Sequence, residues 1–517
     1  MKLEDFQIEL KQLPGAMSVW HGRVNAQQWR TACQQVRDKG GRLAALWSAD
    51  NSDREQGYAV HAALTVQSGL LVITLPLAGE SFPDISDIFP VANRMQRAVN
   101  DLFGVSAANA ADQRKWLRHA AWRADEFPLR KDFGSSHESR VTSHVEADDY
   151  PFVRVEGEGV HEIPVGPVHA GTIEPGHFRF SIVGEGVLRL EERLGYKHKG
   201  IEKRFEQMDL AQGARLAGRV SGDSTVAFAW AYAMAVESAC GVTPPQRALW
   251  LRALLLERER VGQHLWDLGF MGNDAGLAFG LAQFSCLRED MLRTNMALFG
   301  HRYLMDIIVP GGVARDLDAE GIAGIRGEID TLGKTVALLK GIYDEHSGLQ
   351  DRFIGCGRVK PELADRLGLT GPAGRASGMA WDLRVQFPPA PYDGFEVRMA
   401  THRNGDVAAR ATVRFEEIAE SLRLIGLILS GLPAGDIAAP VAVAPEDAFG
   451  IGWVEGWRGE VLIALETGAN NRIRRLHPHD PSWQNWPVLE RAVLGNIVPD
   501  FPLINKSFNL SYSGHDL

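Results

Sequence analysis

Cysteine is nearly missing from this sequence: its 517 residues include four, Cys33, Cys240, Cys286 and Cys356. They stand singly, with no pair at the spacing that ligates a metal or an iron–sulfur cluster. Each is expected to pack as a small buried hydrophobe. Histidines and carboxylates gather nowhere densely enough to replace thiol ligands. Long apolar runs are missing too. None reaches the roughly 18 residues of a membrane span; the nearest, Val226 to Val236, is alanine-rich and stops at Glu237. The start, Met1-Lys2-Leu3-Glu4-Asp5, lacks the basic, apolar, small-residue order of a signal peptide, so a cytoplasmic location is expected. There is no excess of positive charge. The net charge of −10 speaks against nonspecific nucleic-acid binding. No Gly-x-Gly-x-x-Gly opens a strand–helix–strand unit, so nicotinamide would act on another chain. Internal repeats and low-complexity runs are absent.

What is present is an ordinary globular composition, 45% hydrophobic and 23% charged, long enough for two or three domains. Leu70 to Leu75 is β-rich, and the apolar spacing from Ala92 to Phe103 predicts a helix stopped by Gly104. Gly134 to Asp149 is polar and aperiodic, and reads as a linker. Phe178–Val183 and Val187–Leu190 predict a hairpin across Gly184-Glu185-Gly186. From about Gly200 to Gly300 the apolar spacing predicts long packed helices, and another helix is expected from Val413 to Leu429. In the tail, Phe508, Leu510 and Tyr512 alternate as one apolar face of a terminal strand, expected to be buried.

Several motifs carry a family resemblance. Phe89 to Val105 and Phe127-Pro128-Leu129-Arg130-Lys131-Asp132-Phe133 resemble the 30 kDa subunit of respiratory complex I, with Gln96 and Ala98 where acidic residues are usual. The first 60 or so residues show little of it. Further segments resemble the large subunit of nickel–iron hydrogenases and the 49 kDa subunit of complex I. They are Gly166-Pro167-Val168-His169, Glu174-Pro175-Gly176-His177, Leu194 to Lys203, Arg219 to Ser224, Arg375-Ala376-Ser377-Gly378 with Asp382-Leu383-Arg384, Tyr392-Asp393, Glu455-Gly456-Trp457-Arg458-Gly459-Glu460 and the tail from Ser511. The branch is that of formate hydrogenlyase and hydrogenase-4. The expected class is α+β: a small α+β domain over 1–133, a linker over 134–150, then a large, mainly helical-bundle domain with peripheral β-structure over 151–517.

In that family two Cys-x-x-Cys pairs hold the metals, and here the positions are occupied by Ser221, Ser224, Ser511 and Gly514. Nickel and low-spin iron need soft thiolates; serine is a hard, weakly acidic donor and glycine donates nothing. The resemblance therefore implies a scaffold kept without its metal ligands. It offers Glu174 as a proton-relay carboxylate and Arg458 as the arginine over the metal, the two candidate catalytic residues. Around a cavity for quinone or another acceptor it places His169, His177, Arg219, Asp223, Arg375 and Asp382. Asp223 is a carboxylate that the family pattern does not have. Blander roles stay open: loop histidines pinning backbone, Glu174 paired with an arginine, Arg458 paired with Glu455 or Glu460. Arg258, Glu259 and His264 would lie near a partner's cluster or form a salt-bridged helix face.

The implied partners are an iron–sulfur subunit of the complex I 20 kDa type and antiporter-like membrane subunits. These would hold the chain on the cytoplasmic face of the inner membrane. The chain itself would bind no cofactor, quinone being the one candidate, with iron–sulfur clusters and NAD on other subunits. A structural subunit without redox function, or an active hydrogenase with other ligands, are the alternatives. Only His515-Asp516-Leu517 follow Gly514, leaving no extension for a maturation protease to remove.

Overall fold

The computed structural model describes residues 3–119, 122–123, 125–133, 150–171 and 173–517. The expected linker, Gly134 to Asp149, lies outside the described residues. The N-terminal part is a five-stranded sheet in the order Lys11–Gln12, Val19–Arg23, Gly69–Pro76, Tyr58–Val66, Leu43–Asp50. All neighbours are antiparallel except Val19–Arg23 with Gly69–Pro76. Helices Ala26–Asp38 and Ala92–Phe103 accompany it, the first opened by an Asn25–Gln28 capping box. The second ends where its sequence said, at Gly104, whose φ of 72° is left-handed. Gln96 donates to Asp84 at 2.7 Å and accepts from the Ile85 amide at 3.1 Å. An acidic residue there would face Asp84 with like charge, which accounts for the amide.

Strand Leu43–Asp50 is buried on both faces, because the large domain covers the side that solvent would otherwise take. Ser48 O accepts from Arg475 Nε at 2.9 Å, and Trp47 stacks between His61 and His477 at 5.0 and 5.4 Å. Arg94 reaches across to Glu192 and Glu490, and Arg42 to Glu460. One apolar core runs through both parts.

The large domain opens with an antiparallel sheet, Val160–Val165, His177–Val183 and Gly186–Arg193, whose hairpin turns at Gly184-Glu185. Five long helices follow: Thr225–Cys240, Gln246–Asp274, Ala278–Phe299, Ala319–Glu345 and Val407–Gly431. The last starts earlier than its apolar spacing suggested, since Asp406 caps it by accepting from the Ala409 amide at 2.9 Å. A second sheet, Phe449–Gly456, Gly459–Thr467 and Ile473–His479, lies against Thr225–Cys240. That helix is apolar all round because it is covered all round. Among the described residues no helix is long and apolar enough to cross a membrane.

The seat of this sheet positions everything that follows. A Cβ on Gly450 would stand 2.0 Å from Ala235 O, and one on Gly452 1.7 Å from Ala231 O. Glycine on the strand and alanine on the helix thus let the two backbones nearly touch. The hairpin tip, Trp457-Arg458, then arrives beside the helix N-terminus, where Ser221 to Ser224 lie.

Two expectations need correction. The tail is no strand: helix Phe501–Phe508 ends at Asn509 (φ 43°) and a helical turn, Tyr512–Asp516, follows. Phe508, Leu510 and Tyr512 are all buried, but by chain reversal instead of alternation. Ser511 caps the turn by accepting from the Gly514 amide at 2.8 Å. Of the cysteines, Cys33 and Cys356 are buried, whereas Cys240 is half-buried and Cys286 exposed on the outer face of Ala278–Phe299.

Candidate functional site

Ser221, Ser224, Ser511 and Gly514, which the resemblance sets against thiols, come together. Lys199 Nζ donates to Val220 O at 2.9 Å and to Ser513 O at 3.3 Å, tying one loop to the tail. Ser221 Oγ and Ser511 Oγ then meet at 2.8 Å. Ser224 Oγ accepts from Arg458 Nη1 at 3.2 Å. Gly514 lies close against Asp480: a Cβ there would stand 2.3 Å from Oδ2, so a larger residue would require that side chain to shift. Asp480 is fully buried, with Oδ1 accepting from the Ser482 amide at 2.8 Å and Oδ2 without a partner. Burial pushes its carboxyl up, against the pull of Arg458. Among the described residues no three or more histidines, cysteines, aspartates and glutamates form a metal-holding group.

Arg458 is the hub. Its Nη1 donates to Asp223 Oδ1 at 2.8 Å, its Nη2 to Asp223 Oδ2, and its Nε to Asn509 O at 2.6 Å. The guanidinium also lies over the Trp457 ring, 4.0 Å from its centroid. Asp223 accepts from Ser221 Oγ at 2.7 Å as well. Burial alone would raise Asp223, but Arg458 and Ser221 hold it below the ordinary carboxylate range. The partner of Arg458 is therefore Asp223. Glu455 is occupied by Arg375 at 2.8 Å, and Glu460 by Arg42 at 3.0 Å. Sequence spacing favoured near neighbours on the hairpin, yet those side chains leave the strand away from its tip. Behind Asp223, Glu259 accepts from the Val226 and Ala227 amides at 2.7 and 3.2 Å, at the start of Thr225–Cys240. Burial pushes its pKa up to about 8, partly offset by those amides.

The other sequence candidates are spread out. Glu174 accepts from the Ser513 amide at 2.9 Å and its hydroxyl at 2.5 Å, with Lys197 at 3.7 Å. His169 is half-buried, its Nδ1 3.3 Å from Pro167 O. His177 is buried on its strand, and burial lowers its pKa. Arg219 pairs with Asp306 at 2.6 Å near the surface. Arg375 and Asp382 lie in a sealed network: Arg375 bonds Glu417 and Glu455, while Asp382 and Glu257 share Arg384. Glu257 also accepts from Tyr392 at 2.5 Å. His264 is bound to Glu417 at 2.7 Å, and Arg258 to Glu328 at 2.6 Å, so the expected salt-bridged helix face is an interior one.

An open cavity of about 440 Å³ adjoins Ser221 and Ser511. Glu174, Ser221, Asp223, Arg458 and Ser511 line it; His169, His177, Arg219, Arg375 and Asp382 do not. Arg288 and Lys506 also line it, and sequence reading missed both. Each sits on a helix with nothing to mark it from a surface cation. The i,i+4 pair Trp266 and Phe270 beneath them was the available signal.

Comparisons with known proteins agree with this architecture. Residues 23–139 match the family described as respiratory-chain NADH dehydrogenase, 30 Kd subunit, and residues 274–448 its 49 Kd counterpart. The first match begins well before residue 60, where the sequence had shown few motifs. Formate hydrogenlyase subunit 5 of Escherichia coli (strain K12) is 31% identical over 485 residues, 92% of this chain and 85% of that protein. The fused C/D component of the NADH-quinone oxidoreductase of Phocaeicola vulgatus is 29% identical, covering 82% of this chain and 85% of its own. A chain of the membrane-bound sulfane sulfur reductase, an archaeal respiratory membrane complex, superposes with a TM-score of 0.66 at 25% identity. It covers 69% of this chain and 99% of that one. The chain belongs to the family of fused 30 kDa-like and 49 kDa-like oxidoreductase subunits that includes formate hydrogenlyase subunit 5 and the C/D components of NADH-quinone oxidoreductases.

Proposed function

We propose that this chain is the electron-exit subunit of a membrane-associated complex related to complex I and hydrogenases, working without a nickel–iron centre. The Arg458–Asp223 pair carries the reading. A guanidinium bound by two hydrogen bonds to a carboxylate occupies the space between the former thiol pairs. Serine hydroxyls bonded to each other and to that pair are hard donors already in use. The fourth position is Gly514, which has no donor side chain and is packed against Asp480. The donor set does not fit nickel and iron, so no chemistry is routed through them.

Electrons would come from an iron–sulfur cluster in a partner subunit of the 20 kDa type, since the cysteines here are single and scattered. They would leave to an acceptor, such as a quinone, in the cavity beside Arg458. Antiporter-like partners would hold the assembly at the inner membrane on its cytoplasmic face, and NAD would react on other subunits. The likeness to a chain of a membrane-bound respiratory complex supports the membrane association.

Isolating the native complex tests it. We expect an iron–sulfur subunit to copurify, and its reduced cluster, followed by electron paramagnetic resonance, to be reoxidised by added acceptor. A complex with no iron–sulfur subunit would make the chain structural instead.

A further inference from the structure

The cavity is lined by two cations, Arg288 and Lys506, that make no ion pair within 4.0 Å among the described residues. Arg458 is matched by Asp223, and Glu174 has Lys197 at 3.7 Å. Arg288 and Lys506 are different: among the described residues neither lies within ion-pair distance of a carboxylate. Both are held on aromatic rings instead. Trp266 and Phe270 form a tilted pair one turn apart on Gln246–Asp274, ring centroids 4.4 Å apart. Arg288 lies over Trp266 at 4.6 Å, with Tyr303 at 5.6 Å, and Lys506 over Phe270 at 4.9 Å.

The aromatic pair thus seats a guanidinium on one ring and an ammonium on the next, and both side chains line the cavity. Arg288 Nε donates to Gly262 O at 3.1 Å, which fixes the plane of the guanidinium. Its two terminal amino groups donate to no protein acceptor among the described residues. They form the fork that suits two oxygens of one anion. Lys506 supplies a point charge. Burial lowers its pKa, with Asp267 and Asp274 pulling the other way. Asp267 is itself taken up by Arg414 at 2.8 Å and Asn509 at 2.6 Å, whereas Asp274 offsets part of the ammonium charge from beyond ion-pair distance.

We propose that the cavity binds a small divalent oxyanion between Arg288 and Lys506. An anionic group of the ligand would take up the unused Arg288 amino groups and the Lys506 charge, which a wholly neutral ligand would leave without a close counter-charge. This deepens the proposed function, on which it rests for the role of the ligand: the acceptor, or a group that it carries, is anionic.

Selenate is the probe. The full-length chain, titrated with sodium selenate at constant ionic strength, is expected to bind one equivalent saturably. Crystals soaked in it should show a selenium anomalous peak within hydrogen-bond reach of Arg288 and Lys506. Arg288→Gln and Lys506→Gln should each raise the Kd at least tenfold with the thermal melt retained. No saturable binding, a peak elsewhere, or a Kd indifferent to both substitutions would overturn the site. The peak in the unaltered protein decides the matter even if a variant fails to fold. Selenate binding in a nickel-containing complex would sink the proposed function and leave this site standing; no binding in a nickel-free complex would do the reverse.

Discussion

Arg458 holds three separate stretches of chain at once: the hairpin tip, the loop at Asp223 and Ser224, and the tail at Asn509. Removing Asp223 strands a buried guanidinium, so Asp223→Ala should cost about 1–3 kcal/mol. Arg458→Ala should cost a similar amount. The two losses should not add, because each variant already breaks the same pair. A double-mutant cycle by urea melts measures this; additive losses would mean that the pair is not the hub. Sequence reading flagged both residues but could not join them, since 235 positions separate them and only the fold closes that distance.

Glu259 gives a second test at the same scale. Its folded pKa of about 8 exceeds the ordinary carboxylate value, so between roughly pH 4.5 and 8 the folded state binds the extra proton. Its contribution is most favourable below that window and is lost as pH rises through it, by at most about 1.4 kcal/mol per pH unit. Glu259→Gln should be less stable at pH 5, because its one amide oxygen cannot accept from both the Val226 and the Ala227 amides and its nitrogen accepts from neither. Its stability should fall less steeply towards pH 8. Parallel pH profiles for the two proteins would contradict the assignment.

At the scale of elements, the contact of strand Phe449–Gly456 on helix Thr225–Cys240 sets the geometry of the site. Gly452→Ala would drive a Cβ into Ala231 O, a backbone atom that cannot swing aside. The expected loss is about 1–3 kcal/mol, with the hairpin tip displaced and selenate affinity lowered. Normal stability and affinity in this variant would show that the seat is looser than described. Elements with strong local signals were legible in sequence: Ala92–Phe103 with Gly104, and the Phe178 hairpin. The tail misled because three alternating apolar residues suit a strand or a reversal at Asn509 equally well. Ser511 as a cap decides it, and that role was hidden behind its place in the thiol pattern.

For the whole molecule, the two family modules pack as one body. Trp47 between His61 and His477, with Arg475 bonded to Ser48 O, shows that the small domain completes the large one. Composition foretold a globular chain with ample core, and the motifs foretold its family and its α+β class. The closed charge network around Arg375, Arg384 and Glu257 was not foretold, because sequence does not say which charges are buried together. The cavity's unpaired cations were hidden for the same reason: pairing is decided by three-dimensional neighbours. The central claim is that this scaffold no longer holds nickel. Elemental analysis of the native complex, with an assay of hydrogen-dependent dye reduction, tests that most directly. We predict no stoichiometric nickel and no hydrogen uptake; about one nickel per chain together with hydrogen-dependent reduction would contradict the account.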